Sequence, residues 1–188
     1  MKLAELEKKI KKCTACQLAK TRNNVVPGEG NPQADIIFIG EGPGKNEDLQ
    51  GKPFIGAAGK VLDDLLSQIN LKREDIYIAN IVKCRPPNNR DPKPEEAKAC
   101  WPWLEKQIQI IKPKVIVILG RHSLNRFIPG VGISQYHGRA LRKEFKPLGK
   151  LVFFPCYHPA AALYNGSLRS TLEDDFKKIP KIIKKLSK

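Results

Sequence analysis

At 188 residues the chain has room for one well-packed core and is short for two, so a single domain over residues 1–188 is expected. Its 34 Lys and Arg against 19 Asp and Glu leave a formal charge of +15, which points to a polyanionic partner, nucleic acid ahead of a membrane surface. No apolar run approaches the roughly 18 residues of a spanning helix, the N-terminus lacks a signal peptide's apolar centre, and five cysteines are an odd number for a disulfide framework. These features predict a cytoplasmic protein, without membrane attachment, whose cysteines serve a metal or catalysis.

Leu3, Leu6 and Ile10 make a helical stripe from Met1 to Lys12 that runs into Cys13-Thr14-Ala15-Cys16. Residues 17–33, with Asn23-Asn24, Pro27-Gly28 and Asn31-Pro32, read as a loop. Ala34 to Ile39 is an apolar, β-branched run of strand length. It ends in Gly40-Glu41-Gly42-Pro43-Gly44, a turn that lets a ligand come close to the backbone. Phe54 follows in a second loop bracketed by Gly51 and Gly56, and Lys60 to Asn70 has Leu62, Leu65, Leu66 and Ile69 at helical spacing. Asp75 to Lys83 is the next predicted strand, with Asn80 late in an otherwise apolar run, and Cys84 to Pro94 is a proline-rich basic loop. A long helix is predicted over Glu95 to Ile111, carrying Cys100, Trp101 and Trp103. Val115 to Leu119 and Leu151 to Pro155 are further strands, the last leading to Cys156-Tyr157-His158-Pro159. Between them the pattern predicts a short helix near His122 to Phe127 and a loop or hairpin through Gly130-Val131-Gly132. From about Thr171 a basic amphipathic helix follows, kinked at Pro180.

Strands that alternate with helices and are themselves almost wholly apolar predict an α/β protein with a parallel sheet covered on both faces. In such a sheet the carboxyl ends of the strands share one edge, so Gly40-Glu41-Gly42, Asn80 and His158 would meet in one cleft, with Phe54 as an aromatic wall. Cys13, Cys16, Cys84 and Cys100 offer four thiolates from three segments, suited to zinc or to an iron-sulfur cluster, and the spacing does not choose between them. Such a site would staple a loop whose Arg85, Arg90, Lys93 and Lys98 suit phosphate contacts. Cys156 is left over and reads as a small buried residue. A non-catalytic, metal-stapled nucleic-acid-binding module is the competing reading, and the three convergent polar groups argue against it. A nucleotide-phosphate enzyme is disfavoured because neither GxGxxG nor a GKS or GKT follows the turn.

The run GEGPGKNEDLQGKPFIGAAGKVLDDLL, the block NIVKCRPPNNRDPKPEE, the CTAC near the N-terminus and the final HPAAAL resemble the iron-sulfur, type 4 uracil-DNA glycosylases of bacteria and archaea. The resemblance covers nearly the whole chain in four ordered motifs. It implies the three-layer α/β/α sandwich of the uracil-DNA glycosylase superfamily with a central four-stranded parallel sheet. It also implies a 4Fe-4S cluster on Cys13, Cys16, Cys84 and Cys100. Carried over by position, Phe54 would stack on a flipped base, Asn80 would read the uracil edge, and Gly40 to Gly42 would hold the ring. His158 would face O2, Glu41 would serve the attacking water or the cationic sugar, and Glu47 would crowd the C5 methyl of thymine. The implied activity is monofunctional: uracil is hydrolysed from double- or single-stranded DNA to leave an abasic site, and a broad-specificity sister enzyme is the nearest alternative. A monomer is expected, with replication proteins as candidate partners, and the Lys- and Ile-rich composition with one Met suggests a thermophile. Two departures stand out. Other branches of the family have Asp where this chain has Gly42, and the family commonly has Leu and Arg where this chain has Ala162 and Tyr164. Leu163 and Tyr164 are therefore the candidates for the side chain that fills the vacated space in the duplex.

Overall fold

The computed structural model describes residues 1–186; the final two residues of the expected domain lie outside it. The chain runs α1 (Leu3–Lys11), β1 (Glu29–Gly30), β2 (Ile36–Gly40), α2 (Lys45–Gln50), α3 (Ala57–Gln68), β3 (Tyr77–Asn80), α4 (Pro94–Ile111) and β4 (Val115–Leu119). It continues through α5 (Arg121–Phe127), α6 (Ile133–Tyr136), β5 (Leu141–Phe145), β6 (Gly149–Cys156), α7 (Ala161–Tyr164), α8 (Gly166–Phe176) and α9 (Ile179–Leu186). The strands form one sheet in the order β1-β3-β2-β4-β6-β5.

The four predicted apolar strands are its centre: β3, β2, β4 and β6 are mutually parallel. The sheet nevertheless has six strands, not four, because β1 and β5 add antiparallel edges. Neither announces itself in sequence. β1 is two exposed residues, too short for a hydrophobic pattern, and β5 reads Leu-Arg-Lys-Glu-Phe with its three central residues in solvent. Charged side chains on so short an edge also discourage pairing with another chain. Around Gly130 to Gly132 there is no hairpin; α6 follows, and the hairpin is β5–β6 instead. The basic tail breaks into α8 and α9 ahead of Pro180, which occupies the first turn of α9, where the missing N–H costs nothing.

Alternation along the central strands builds the two cores. Ile37 and Ile39 of β2, with Ile116 and Ile118 of β4, face α1, α4 and α5 through Leu6, Ile10, Leu104, Ile108 and Leu124. Ile36 and Phe38, with Val115 and Val117, face α3, α8 and α9 through Leu62, Leu65, Leu172, Phe176 and Ile179. Side chains of this kind contribute about 1.5–3 kcal/mol each when fully buried, so both faces must be covered and the strands are apolar throughout. The result is three layers, α/β/α. Because the central strands are parallel, Gly40, Asn80, Leu119 and Cys156 all end at the same edge.

Candidate active site and cysteine site

At that edge lies a cavity of about 350 Å³ lined by Glu41, Glu47, Phe54, Asn80 and His158, with Gly42 and Gly44 of the glycine turn and Pro86, Asn89, Arg90 and Asp91 of the proline-rich loop. All the polar residues singled out at the strand ends are therefore in one place. Gly40 is required for this packing: a Cβ there would meet Asn80 Oδ1 at 2.5 Å and the Phe54 ring at 2.7 Å. Leu163 and Tyr164 lie outside the cavity, on α7 just beyond His158, and both are exposed, Tyr164 almost completely.

Phe54 is held in an unusual backbone conformation, at φ 50°. Such a position persists only where neighbours over-determine it. Here the Glu47 carboxylate accepts the backbone N–H groups of Ile55 and Gly56, both at 2.9 Å, while the Arg73 guanidinium donates to the Pro53 carbonyl at 3.1 Å and to the carbonyl of Phe54 itself. Arg73 is anchored in turn by Asp63 at 2.6 Å. The ring stacks against His158 with centroids 5.5 Å apart and planes 29° from parallel.

Asn80 is 2% exposed, and its Oδ1 is buried without a hydrogen-bond partner in the protein. An orphaned amide oxygen costs about 1–3 kcal/mol, and the residue that carries it lines the cavity. His158 accepts the Ala160 N–H at Nδ1 over 3.2 Å, so in the neutral ring the proton is on Nε2. Burial pulls its pKa down to about 4, only partly opposed by Glu47, and the imidazole is a neutral donor at physiological pH. Burial acts oppositely on Glu41 and pushes its carboxyl up, with His122 and Arg121 pulling it down and Asp91 reinforcing the rise. His122 Nε2 lies 3.8 Å from Glu41 and 3.1 Å from Asp91. Nothing local singles out Asp91 or His122: one lies in a loop, the other at a helix start, and only the tertiary fold brings them to Glu41.

The four cysteines singled out in the sequence line one small enclosure with Lys83, Arg22 and Trp103 between α1, the start of the proline-rich loop and α4. Three of the sulfurs receive N–H donors: Cys84 from Arg22 Nη1 at 3.2 Å, Cys13 from Trp103 Nε1 at 3.2 Å, and Cys100 from the Lys83 backbone at 3.3 Å. Donors aimed at sulfur suit thiolates, whereas burial alone pushes Cys84 up and Cys100 up to about 11. A bound metal supplies the charge that holds such buried sulfurs ionised. Cys156 is buried in the opposite core, away from this set.

The sequence model of the Uracil DNA glycosylase superfamily matches residues 27–186. The chain is 49% identical over 183 residues to the type-4 uracil-DNA glycosylase of Sulfurisphaera tokodaii, covering 94% of this chain and 83% of that protein. It is 50% identical over 175 residues to the type-4 uracil-DNA glycosylase of Saccharolobus solfataricus, covering 90% and 81%. With the type-4 uracil-DNA glycosylase of Thermotoga maritima the identity is 47% over 184 residues, covering 96% and 94%. A parallel α/β sheet with its polar groups gathered at one edge and these similarities along almost the whole chain lead to one conclusion: the chain belongs to the uracil-DNA glycosylase superfamily.

Proposed function

We propose that this protein is a DNA-repair hydrolase that flips uracil out of DNA and cleaves its N-glycosidic bond, leaving an abasic site. The observation that carries this reading is the unpartnered Asn80 Oδ1 on a residue that lines a cavity shared with a neutral histidine and a carboxylate. In uracil, N3–H is a donor and O4 an acceptor, and an amide that accepts from the first and donates to the second satisfies both. Cytosine reverses both groups. Phe54 offers the face on which the extruded base stacks, recovering part of the unstacking cost, and Gly40 leaves the room.

As the C1′–N1 bond breaks, its electron pair leaves with the base and negative charge grows at O2, where the His158 Nε2–H donates. A preorganised donor of this kind is worth about 10²–10³ in rate. Water supplies the new C1′–O bond, and Glu41, whose carboxyl burial has made more basic, orients it and faces the cationic sugar. Among the described residues no lysine lines the cavity, which supports a reaction without a Schiff base and a monofunctional enzyme. Leu163 or Tyr164 enters the gap left in the duplex, and the basic loop with the overall +15 charge holds the phosphates.

Cys13, Cys16, Cys84 and Cys100 would hold a 4Fe-4S cluster, a reading supported by their gathering around one small enclosure and by the N–H donors around them. When bound, the cluster supplies a structural cross-link between α1 and α4 and no chemistry on the substrate. The protein acts as a monomeric single domain in the cytoplasm, with replication proteins as candidate partners. No helix among the described residues is long and apolar enough to cross a membrane. Incubating the purified protein with a uracil-containing oligonucleotide, then treating with alkali, tests the activity. Strand scission at the uracil position that appears only after alkali is expected. Intact strands would reduce the protein to a binder, and scission before alkali would overturn the monofunctional mechanism.

A further inference from the structure

A second cavity, of about 550 Å³, adjoins the first, and Glu41 lines both. Its other polar side chains are Lys98 of α4 with His122, Asn125 and Arg126 of α5, and the rest of the wall is apolar. Arg126 is the unusual member. Its guanidinium lies over the Trp101 ring, 4.1 Å from the centroid, a stack that fixes the side chain without using its N–H donors. Glu105, the carboxylate whose charge it feels, is engaged by Trp101 Nε1 at 3.0 Å. Among the described residues Arg126 forms no ion pair, and its Nε is buried without a hydrogen-bond partner. Burial disfavours the charge, and Glu105 offsets that only in part. Lys98, exposed on the same helix as Trp101, also has no ion pair among the described residues.

A rigid, unpaired guanidinium and a free ammonium on one wall suit an anion, and an arginine fork matches the paired oxygens of a phosphate. A second nucleobase fits less well, because no Phe, Tyr or Trp lines this cavity to stack on it. We propose that the cavity seats a backbone phosphate of the DNA strand carrying the flipped nucleotide, gripped by Arg126 and Lys98 with the Asn125 amide beside them. The inference rests on the excision reaction proposed above, which sets the sugar at Glu41. A nucleotide carries its phosphates on C3′ and C5′ of that same sugar, so a cavity that shares Glu41 with the base pocket lies where one of them must go. The two cations offset the charge that Glu41 and the phosphate bring together. Phosphate contacts of this kind carry register rather than sequence: with the phosphate seated, the nucleotide beside it is the one whose base reaches Asn80.

The test is a cycle between protein and DNA. Duplexes with a tetrahydrofuran abasic site are made with one neutral methylphosphonate at each nearby linkage in turn, and fluorescence anisotropy reads their binding to wild type, Arg126→Met and Lys98→Met. With wild type, neutralising one linkage next to the abasic site is expected to cost about tenfold in affinity, the effect of one charge-assisted hydrogen bond. Arg126→Met is expected to bind unmodified DNA about tenfold more weakly, to be indifferent to that linkage and to stay sensitive to the others. Lys98→Met, at an exposed position, should show the same pattern at about threefold, so the test stands if the Arg126 variant does not fold. In both variants the slope of log affinity against log salt should fall by about one. Costs that add independently at every linkage, or wild-type affinity in both variants, would overturn the proposal. The underlying reading is scored separately on uracil-containing duplex: a wild type that shows the sensitive linkage yet leaves uracil in place keeps the phosphate site and loses the glycosylase.

Discussion

The candidate cavity and the cysteine site come within four residues of each other along the chain, at Asn80 and Cys84, yet they treat buried polar groups in opposite ways. In the cavity an amide oxygen is left without a partner and a carboxyl is made more basic by burial. In the cysteine site three sulfurs each receive an N–H donor, and Cys84 and Cys100 are buried. Unsatisfied groups in a cavity are completed by a substrate that comes and goes, whereas satisfied ones describe a part that stays. The first region should therefore fail in rate and the second in stability.

The largest effect is expected from Cys100→Ser. Cys100 is buried and tied to the Lys83 backbone, and losing it opens the cross-link between the proline-rich loop and α4. Soluble yield and visible absorbance should both collapse before excision can be assayed, because metal binding of this kind is part of the folding free energy. A coloured variant with an unchanged melting temperature would place Cys100 outside the metal site. Asn80→Ala should do the reverse. Single-turnover excision should fall by about 10²–10³ while colour and melting temperature hold, since the alanine removes both hydrogen bonds that seat the base edge in the cavity. An unchanged rate would take Asn80 out of base recognition.

That division was partly legible in the sequence. Parallel strands share an edge, so Glu41, Asn80 and His158 could be gathered from distant segments on topology alone, and the paired cysteine spacings marked the second region. What escaped were features that exist only after the chain packs. Lys83 reads as the last residue of a strand, and nothing local shows that it is among the most buried side chains in the molecule. Asp91 and His122 reach Glu41 only because the proline-rich loop and α5 close over the end of β2. The two edge strands carry no apolar alternation to read.

Titration should sharpen the contrast from the cavity side. The folded pKa of His158, about 4, lies below its ordinary 6.5, so the unfolded chain takes up the proton first. The stability contributed by the neutral ring is complete above pH 6.5 and is lost progressively as pH falls toward 4. Glu41 has the opposite sign: its raised pKa favours the protonated fold at low pH, and that contribution disappears as pH rises through the raised value. On the proposed mechanism excision needs neutral His158 and ionised Glu41, so its acid limb should follow Glu41 first. Glu41→Gln should erase that limb and lower the plateau about tenfold. Denaturant midpoints of His158→Gln should vary less than wild type between pH 6.5 and 4, and parallel curves would mean that the imidazole is not held neutral by the fold.

The smallest expected effect concerns Glu47, where the resemblance and the geometry assign different work to one carboxylate. A wall against the C5 methyl would act by occupying space, and Glu47 does line the cavity. The same carboxylate accepts the backbone N–H groups of Ile55 and Gly56, which makes it a clamp on the strained Phe54 loop. Glu47→Gln nearly preserves the volume and one acceptor oxygen, and should cost only a few-fold in uracil excision. Glu47→Ala removes both. If the carboxylate excludes thymine by bulk, the alanine variant should gain activity on T:G pairs, within the roughly 10–200-fold range that one methylene-sized difference controls. If its work is to hold Phe54, the alanine variant should lose uracil excision several-fold and gain nothing on thymine. The clamp has two 2.9 Å hydrogen bonds behind it, so the second outcome is the one expected, and thymine excision by Glu47→Ala would reverse it.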